Sequence, residues 1–128
     1  MAYMLLIIEP VGQRARRTRA EGEAAYASMT RFADSLRDRG KLKAVESLAS
    51  TESAVRVQPG ESGKIRVVDG PFAEAKEMIG GFYLLDCDNM DEAIAIAREC
   101  PAAQWASVEV RGVAPCYEES VRDARASA

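Results

Sequence analysis

Asp69, Glu74, Lys76 and Glu77 form the densest group of ionisable side chains that the sequence sets between two apolar runs. They lie in VVDGPFAEAKEMIGGFY, residues 67–83. There an apolar stretch breaks at Asp69-Gly70-Pro71, crosses an acidic-basic-acidic run and resumes through Gly80-Gly81. Pro71 disfavours helical geometry at Gly70, and Gly70 accepts backbone angles closed to other residues. The turn therefore aims the Asp69 carboxylate from just past a strand end. Two readings of the group stand. In the first, Asp69 lines a cleft between a sheet and the first helix. Burial raises a carboxylate pKa there and a nearby cation lowers it, so Asp69 is tunable for general-base work with Glu74, Lys76 or Tyr26 assisting. Gly70, Pro71 and Phe72 then wall a ligand pocket together with Tyr26. In the second, Asp69 caps the following turn, and Glu74, Lys76 and Glu77 form a surface ion-pair cluster, which contributes little to stability. Phe72 reads as an inward anchor, and Tyr26 and Tyr83 as packing residues whose hydroxyls find a partner.

Absent residue types narrow the chemistry. The sequence has no histidine, which excludes Ser-His-Asp and Cys-His catalytic units and histidine-ligated metals. Acid–base work at neutral pH then falls to a carboxylate, lysine, tyrosine or thiol. Cys87, Cys100 and Cys116 are odd in number and lack C-x-x-C spacing, a pattern suited to free thiols in a reducing cytoplasm. No phosphate-binding glycine loop follows a strand and no metal-ligand cluster stands out, so neither a tightly bound cofactor nor a metal is expected. A net charge of −3 gives no general attraction to nucleic acid or to an anionic membrane. The run Arg14, Arg16, Arg17 and Arg19 reads as a solvated loop leading into a helix, because no second basic patch accompanies it. Met4 to Ile8 is too short and too poorly flanked for a secretory signal. No stretch approaches the roughly 18 apolar residues a membrane span needs. A cytoplasmic protein is expected.

The elements that must hold the group follow in chain order. Residues 2–9 (AYMLLIIE) are apolar almost throughout, the mark of a central strand. Thr18 and Glu21 match a capping box opening a helix to about Arg39, with Ala25, Met29, Phe32, Ala33 and Leu36 on its buried face and Gly40 as its stop. Residues 43–48 form a second strand. Residues 54–58 and 64–69 alternate apolar and polar side chains around a Pro- and Gly-containing loop, the pattern of a hairpin. Residues 82–87 make another strand, and Asn89 with Glu92 opens a second helix. That helix buries Ala93, Ile94, Ala97 and Cys100 and closes at Pro101. Residues 106–113 read as the last strand, with Trp105 packed at a core edge or a subunit interface. The order defines a ferredoxin-like α+β fold: a βαβ repeat with an inserted β-hairpin and both helices on one side of the sheet. The other face of such a sheet still carries apolar residues, and pairing two sheets face to face covers them, so a homodimer is expected.

The run VVDGPFAEAKEMIGGFYLLD resembles the signature of DGPF-domain proteins within the YCII-related family. AYMLLI at the start, Glu46-Ser47-Leu48 and Ser107-Val108-Glu109-Val110-Arg111 resemble the same family. The resemblance runs from about Tyr3 to Val113, which gives residues 1–113 as one domain and leaves 114–128 as a tail, a short helix or disordered. It implies a dimeric α+β barrel, a fold shared with small monooxygenases and lactone isomerases. Related proteins carry a His-Asp pair proposed as a catalytic dyad, which a chain without histidine does not reproduce. Two functions follow as expectations. One is a small-molecule binder in a barrel pocket, with cofactor-free acid–base chemistry at Asp69, Glu74 and Lys76. The alternative is a non-catalytic accessory protein in regulation linked to extracytoplasmic-function sigma factors, which family members often accompany.

Overall fold

The computed structural model describes residues 1–122. Its core is a four-stranded antiparallel sheet with two helices. β1 (Ala2–Pro10) opens the chain and α1 (Arg19–Asp38) follows. Thr18 caps α1 as expected: its hydroxyl accepts from the Glu21 amide at 3.1 Å while the Glu21 carboxylate accepts from the Thr18 amide at 2.8 Å. β2 (Leu42–Ser47) comes next, then the hairpin strands β3 (Val55–Pro59) and β4 (Ile65–Asp69). β5 (Glu77–Asp86), α2 (Met90–Glu99) and β6 (Ser107–Gly112) complete the chain, and a 3₁₀ turn follows at Cys116–Glu119. Strand order in the main sheet is β2-β5-β1-β6, and β3-β4 pair only with each other. This is the ferredoxin-like α+β arrangement with an inserted hairpin. Residues 123–128 of the expected tail lie outside the described residues.

Strand alternation decides which side chains face the helices. On β1, Tyr3, Leu5, Ile7 and Glu9 are buried, while Met4, Leu6 and Ile8 are half-buried on the other face. Leu5 is in register with Tyr83 on β5 and with Val110 on β6, so inward residues meet inward residues across the sheet. α1 lays Phe32, Ala33 and Leu36 onto that face, and the Phe32 ring meets Tyr83 edge-on with centroids 5.3 Å apart. α2 contributes Ala93, Ile96 and Ala97. Ile94, expected in the buried stripe, is exposed and Ile96 takes its place. A ten-residue helix docked by small alanines turns its long branched residue at 96, not 94, toward the sheet.

β5 starts at Glu77, five residues before the strand expected from the sequence, so the double glycine lies inside the strand. The pairing with β1 slips between Ile7 and Ile8: Ile7 faces Gly81 and Ile8 faces Ile79, which leaves Gly80 unmatched. This β-bulge gives the strand a local kink. It sits directly beside the inward-facing end of β1.

Candidate ligand cleft

An open cleft of about 680 Å³ lies between α1 and the inward face of the sheet, near the bulge. Its floor carries a charged pair. Glu9 ends the inward row of β1 and is only 5% exposed. The Arg14 guanidinium reaches back to it from the loop after β1, with Nη2 2.6 Å from Oε1 and Nε 3.2 and 3.3 Å from the two carboxylate oxygens. Arg14 is itself fixed by backbone: Nη1 donates to the Leu48 carbonyl at 2.7 Å and Nη2 to the Gly80 carbonyl at 3.3 Å. A two-point grip of this kind sets both position and orientation of the carboxylate. Gly80 makes room for it, because a Cβ there would collide with the carboxylate.

The walls are aromatic and apolar. Tyr26 and Met29 come from α1, Ile7 and Tyr83 from the sheet, and Trp105 from the turn before β6. Tyr83 donates its hydroxyl to the Met29 carbonyl at 2.7 Å, and burial pushes its phenol pKa far above the ordinary value. Tyr83 therefore stays protonated and acts as a wall, not as a base. Trp105 is held by Gln13, whose side-chain amide donates to the Trp105 carbonyl at 2.7 Å, and Arg17 lies 5.5 Å from the indole ring centroid.

The residues singled out in the sequence fall in two places. Tyr26 lines the cleft. Asp69 does not: it closes β4 opposite Val55, exposed, with no side-chain hydrogen bond or ion pair among the described residues. The expectation that it faces the first helix is corrected by the hairpin, which carries the end of β4 away from the main sheet. Neither does Asp69 cap the turn: among the described residues no backbone amide donates to its carboxylate, and the Gly70 amide goes to the Ala54 carbonyl at 2.7 Å. Gly70 is required for space and not for an unusual backbone angle: a Cβ would strike the Thr51 carbonyl and stand 3.0 Å from that of Ala54. Glu74 is exposed and pairs with Arg56 at 3.0 Å; its own backbone amide first, and Arg56 after it, hold its carboxyl below the usual range. Lys76 is exposed, and its carbonyl accepts from the Val11 amide at 2.9 Å. Phe72 is buried as an anchor, with the Arg56 guanidinium 3.6 Å from its ring centroid. Pro71 borders a second hollow of about 330 Å³ that Arg14 and Met78 also line.

Glu9 and Arg14 are the functional candidates that the sequence reading passed over. The signal was present: Glu9 holds an inward position in the alternation Tyr3, Leu5, Ile7, Glu9, and a carboxylate there demands a cation nearby. Arg14, read as part of a solvated run, is that cation. Trp105, read as a packing residue, both packs against the core and lines the cleft.

The sheet order, inserted hairpin and helix–sheet cleft define a ferredoxin-like α+β protein with an open cleft between α1 and the sheet. A model of the YCII-related domain matches residues 1–116, and the chain belongs to that family. It is 34% identical over 116 residues to an uncharacterised protein of Rhizobium meliloti (strain 1021), covering 89% of this chain and 93% of that protein. Among solved structures it is similar in fold to 5-chloro-2-hydroxyhydroquinone dehydrochlorinase from Burkholderia phenoliruptrix AC1100, in complex with 2,5-dihydroxybenzoquinone. That similarity has a TM-score of 0.50 at 13% identity and spans 92% of this chain and 98% of the other. Among the described residues, no helix is long and apolar enough to cross a membrane.

Proposed function

We propose that this chain binds a small molecule in the cleft between α1 and the sheet, and that Glu9 exchanges a proton with it without a cofactor. The observation that carries the reading is a buried carboxylate, gripped by one arginine, on the floor of a mostly apolar cleft. Cavities of 300–1,000 Å³ with few, convergent polar groups are where small ligands bind. Arg14 fixes the position of the Glu9 carboxylate, which takes a proton from the ligand and returns it to a neighbouring atom of the same ligand. Proton transfer within one molecule of this kind is isomerisation. A protein of the same fold is solved with a small oxygenated ring bound, and such rings are the first compounds to try.

The test is mass spectrometry of small molecules that co-purify with the native protein, followed by binding and turnover assays on the wild type and Glu9→Gln. Quinols and quinones are assayed beside whatever co-purifies. The reading expects a bound molecule whose turnover falls at least about a hundredfold in Glu9→Gln, the usual scale of a general base. Unchanged turnover in that variant, or a cleft that takes no small molecule, overturns it.

We further infer a homodimer. Met4, Leu6, Ile8, Phe82 and Leu84 share the face of the sheet that bears no helix, and all are half-buried in one chain. Face-to-face packing of two such sheets supports the reading.

A further inference from the structure

We propose that the cleft's ligand is a planar anion, an aromatic carboxylate in the first instance, whose charged group is met by Arg17. This deepens, and rests on, the reading of the cleft as a small-molecule site. The inference comes from a charge inventory. Four arginines line the cleft: Arg14, Arg17, Arg19 and Arg37. Arg14 is committed to Glu9 at 2.6 Å, Arg19 to Glu23 at 3.0 Å and Arg37 to Asp34 at 2.8 Å. Among the described residues Arg17 has no carboxylate partner. Its one hydrogen bond is a long contact, 3.5 Å, from Nη2 to the Gln13 amide oxygen. The remaining cleft carboxylate, Glu46, is no substitute, because strand alternation sends its side chain to the face opposite Val45, in register with Phe82. Among the described residues Arg17 is thus the cleft arginine outside any salt bridge, and the nearby Glu21 carboxylate is taken up by the Thr18 amide.

Arg17 is also held in place. Trp105 lies beneath its guanidinium, and Gln13 ties both, donating to the Trp105 carbonyl and accepting from Arg17. A guanidinium stacked on an aromatic ring keeps its edge donors free, and those donors match the two oxygens of a carboxylate. Tyr26, Tyr83 and Met29 offer flat or pliable apolar surface for a ring. A doubly charged phosphate fits poorly, since among the described residues the other three cleft arginines are each held by a carboxylate. A planar monoanion satisfies both the charge and the walls.

Trp105 is the sole tryptophan of the sequence, so its emission reports on this corner of the cleft. The experiment titrates the full chain with benzoate and cinnamate and with the matching neutral amides, benzamide and cinnamamide. Trp105 emission and calorimetry are read together. The proposal expects the acids to bind about tenfold more tightly than the amides, the scale of one charge-assisted contact. It expects that preference to vanish in Arg17→Met and to persist in Arg31→Met, a change at an exposed arginine outside the cleft, with circular dichroism showing both variants folded. Equal binding of acids and amides overturns the proposal and leaves the small-molecule reading standing. So does an acid preference that survives in Arg17→Met. Failure of all four compounds to bind the wild type also overturns it, while the co-purified molecule and Glu9→Gln decide the broader reading separately.

Discussion

Gly80 and Glu9 compete for one volume: a Cβ on Gly80 would stand inside the Glu9 carboxylate and 3.0 Å from Arg14 Nη2. The need for glycine at position 80 is thereby explained through a residue 71 positions earlier in the chain. Gly80→Ala should push the carboxylate off Arg14, because the collision is with the end of the Glu9 side chain, which is buried and gripped by that arginine. Overpacking of this kind costs about 1–3 kcal/mol. Thermal denaturation should show that loss, and ligand binding in the cleft should fall with it. Gly81→Ala is a second probe, since its Cβ would meet the Glu46 carbonyl at 2.7 Å, backbone against backbone.

Arg14 gives a sharper prediction. Removing it leaves the buried Glu9 carboxylate without its cation and frees the Leu48 and Gly80 carbonyls. Breaking a fully buried pair costs about 3–5 kcal/mol. Arg14 is one-third exposed, so Arg14→Ala should lose about 2–4 kcal/mol in urea unfolding. Glu9→Gln in the Arg14→Ala background should recover part of that, because the uncompensated charge disappears. A double variant less stable than Arg14→Ala alone would show that the charge was not the source of the cost.

The strands and both helices were legible because their signals are local: alternation along β1, the Thr18–Glu21 box and the Asn89 cap. The site was legible only in part. Asp69-Gly70-Pro71 reads as a turn that aims an acid, but where the acid ends up depends on the path of the hairpin, and no local pattern fixes that path. Trp105 and Arg17 meet only when the turn before β6 folds back on the loop before α1. Glu9 was within reach, since parity along one strand places it inward. Its partner five residues on was hidden among neighbouring arginines of the same run.

The cysteines should separate by reactivity. Cys87 and Cys100 are buried, and burial pushes both thiols above their ordinary pKa, whereas Cys116 is exposed. The thiolate is the reactive form. At pH 8 a disulfide reagent should label Cys116 alone within minutes, and the other two only in denaturant. Cys116→Ser should remove the fast phase. Rapid labelling that persists in Cys116→Ser would place a second thiol within reach of solvent.

Lys41 and Glu92 make a pH prediction that can be checked without a ligand. Lys41 Nζ stands 2.6 Å from Glu92 Oε1, linking the start of β2 to the first turn of α2. The contact raises the Lys41 pKa and lowers that of Glu92. A depressed carboxylate contributes stability above its unfolded pKa and loses it as pH falls through the folded value. A raised ammonium contributes below its unfolded pKa and loses it as pH rises through the folded value. The pair therefore supports the fold across the neutral range and fades at both extremes. Lys41→Met should lower the melting temperature more at pH 7 than at pH 3. An equal loss at both pH values would mean that the lysine acts through its packing stem and not its charge.

Assembly is the remaining test, and it turns on the helix-free face of the sheet. Leu6 sits mid-strand on β1, half-buried, in register with Phe82 on β5 and Glu109 on β6. A charge there would stand in the middle of a paired sheet–sheet layer but would be tolerated on a free surface, since it touches none of the inward core. Size exclusion with light scattering should give a dimer for the wild type at micromolar concentration and a monomer for Leu6→Lys. Lys43→Glu, an exposed change on β2, should remain dimeric. The discriminating quantity is stability measured against protein concentration: a dimer melts higher as it is concentrated and a monomer does not. A wild-type melting temperature independent of concentration, together with a monomeric mass, would remove the dimer.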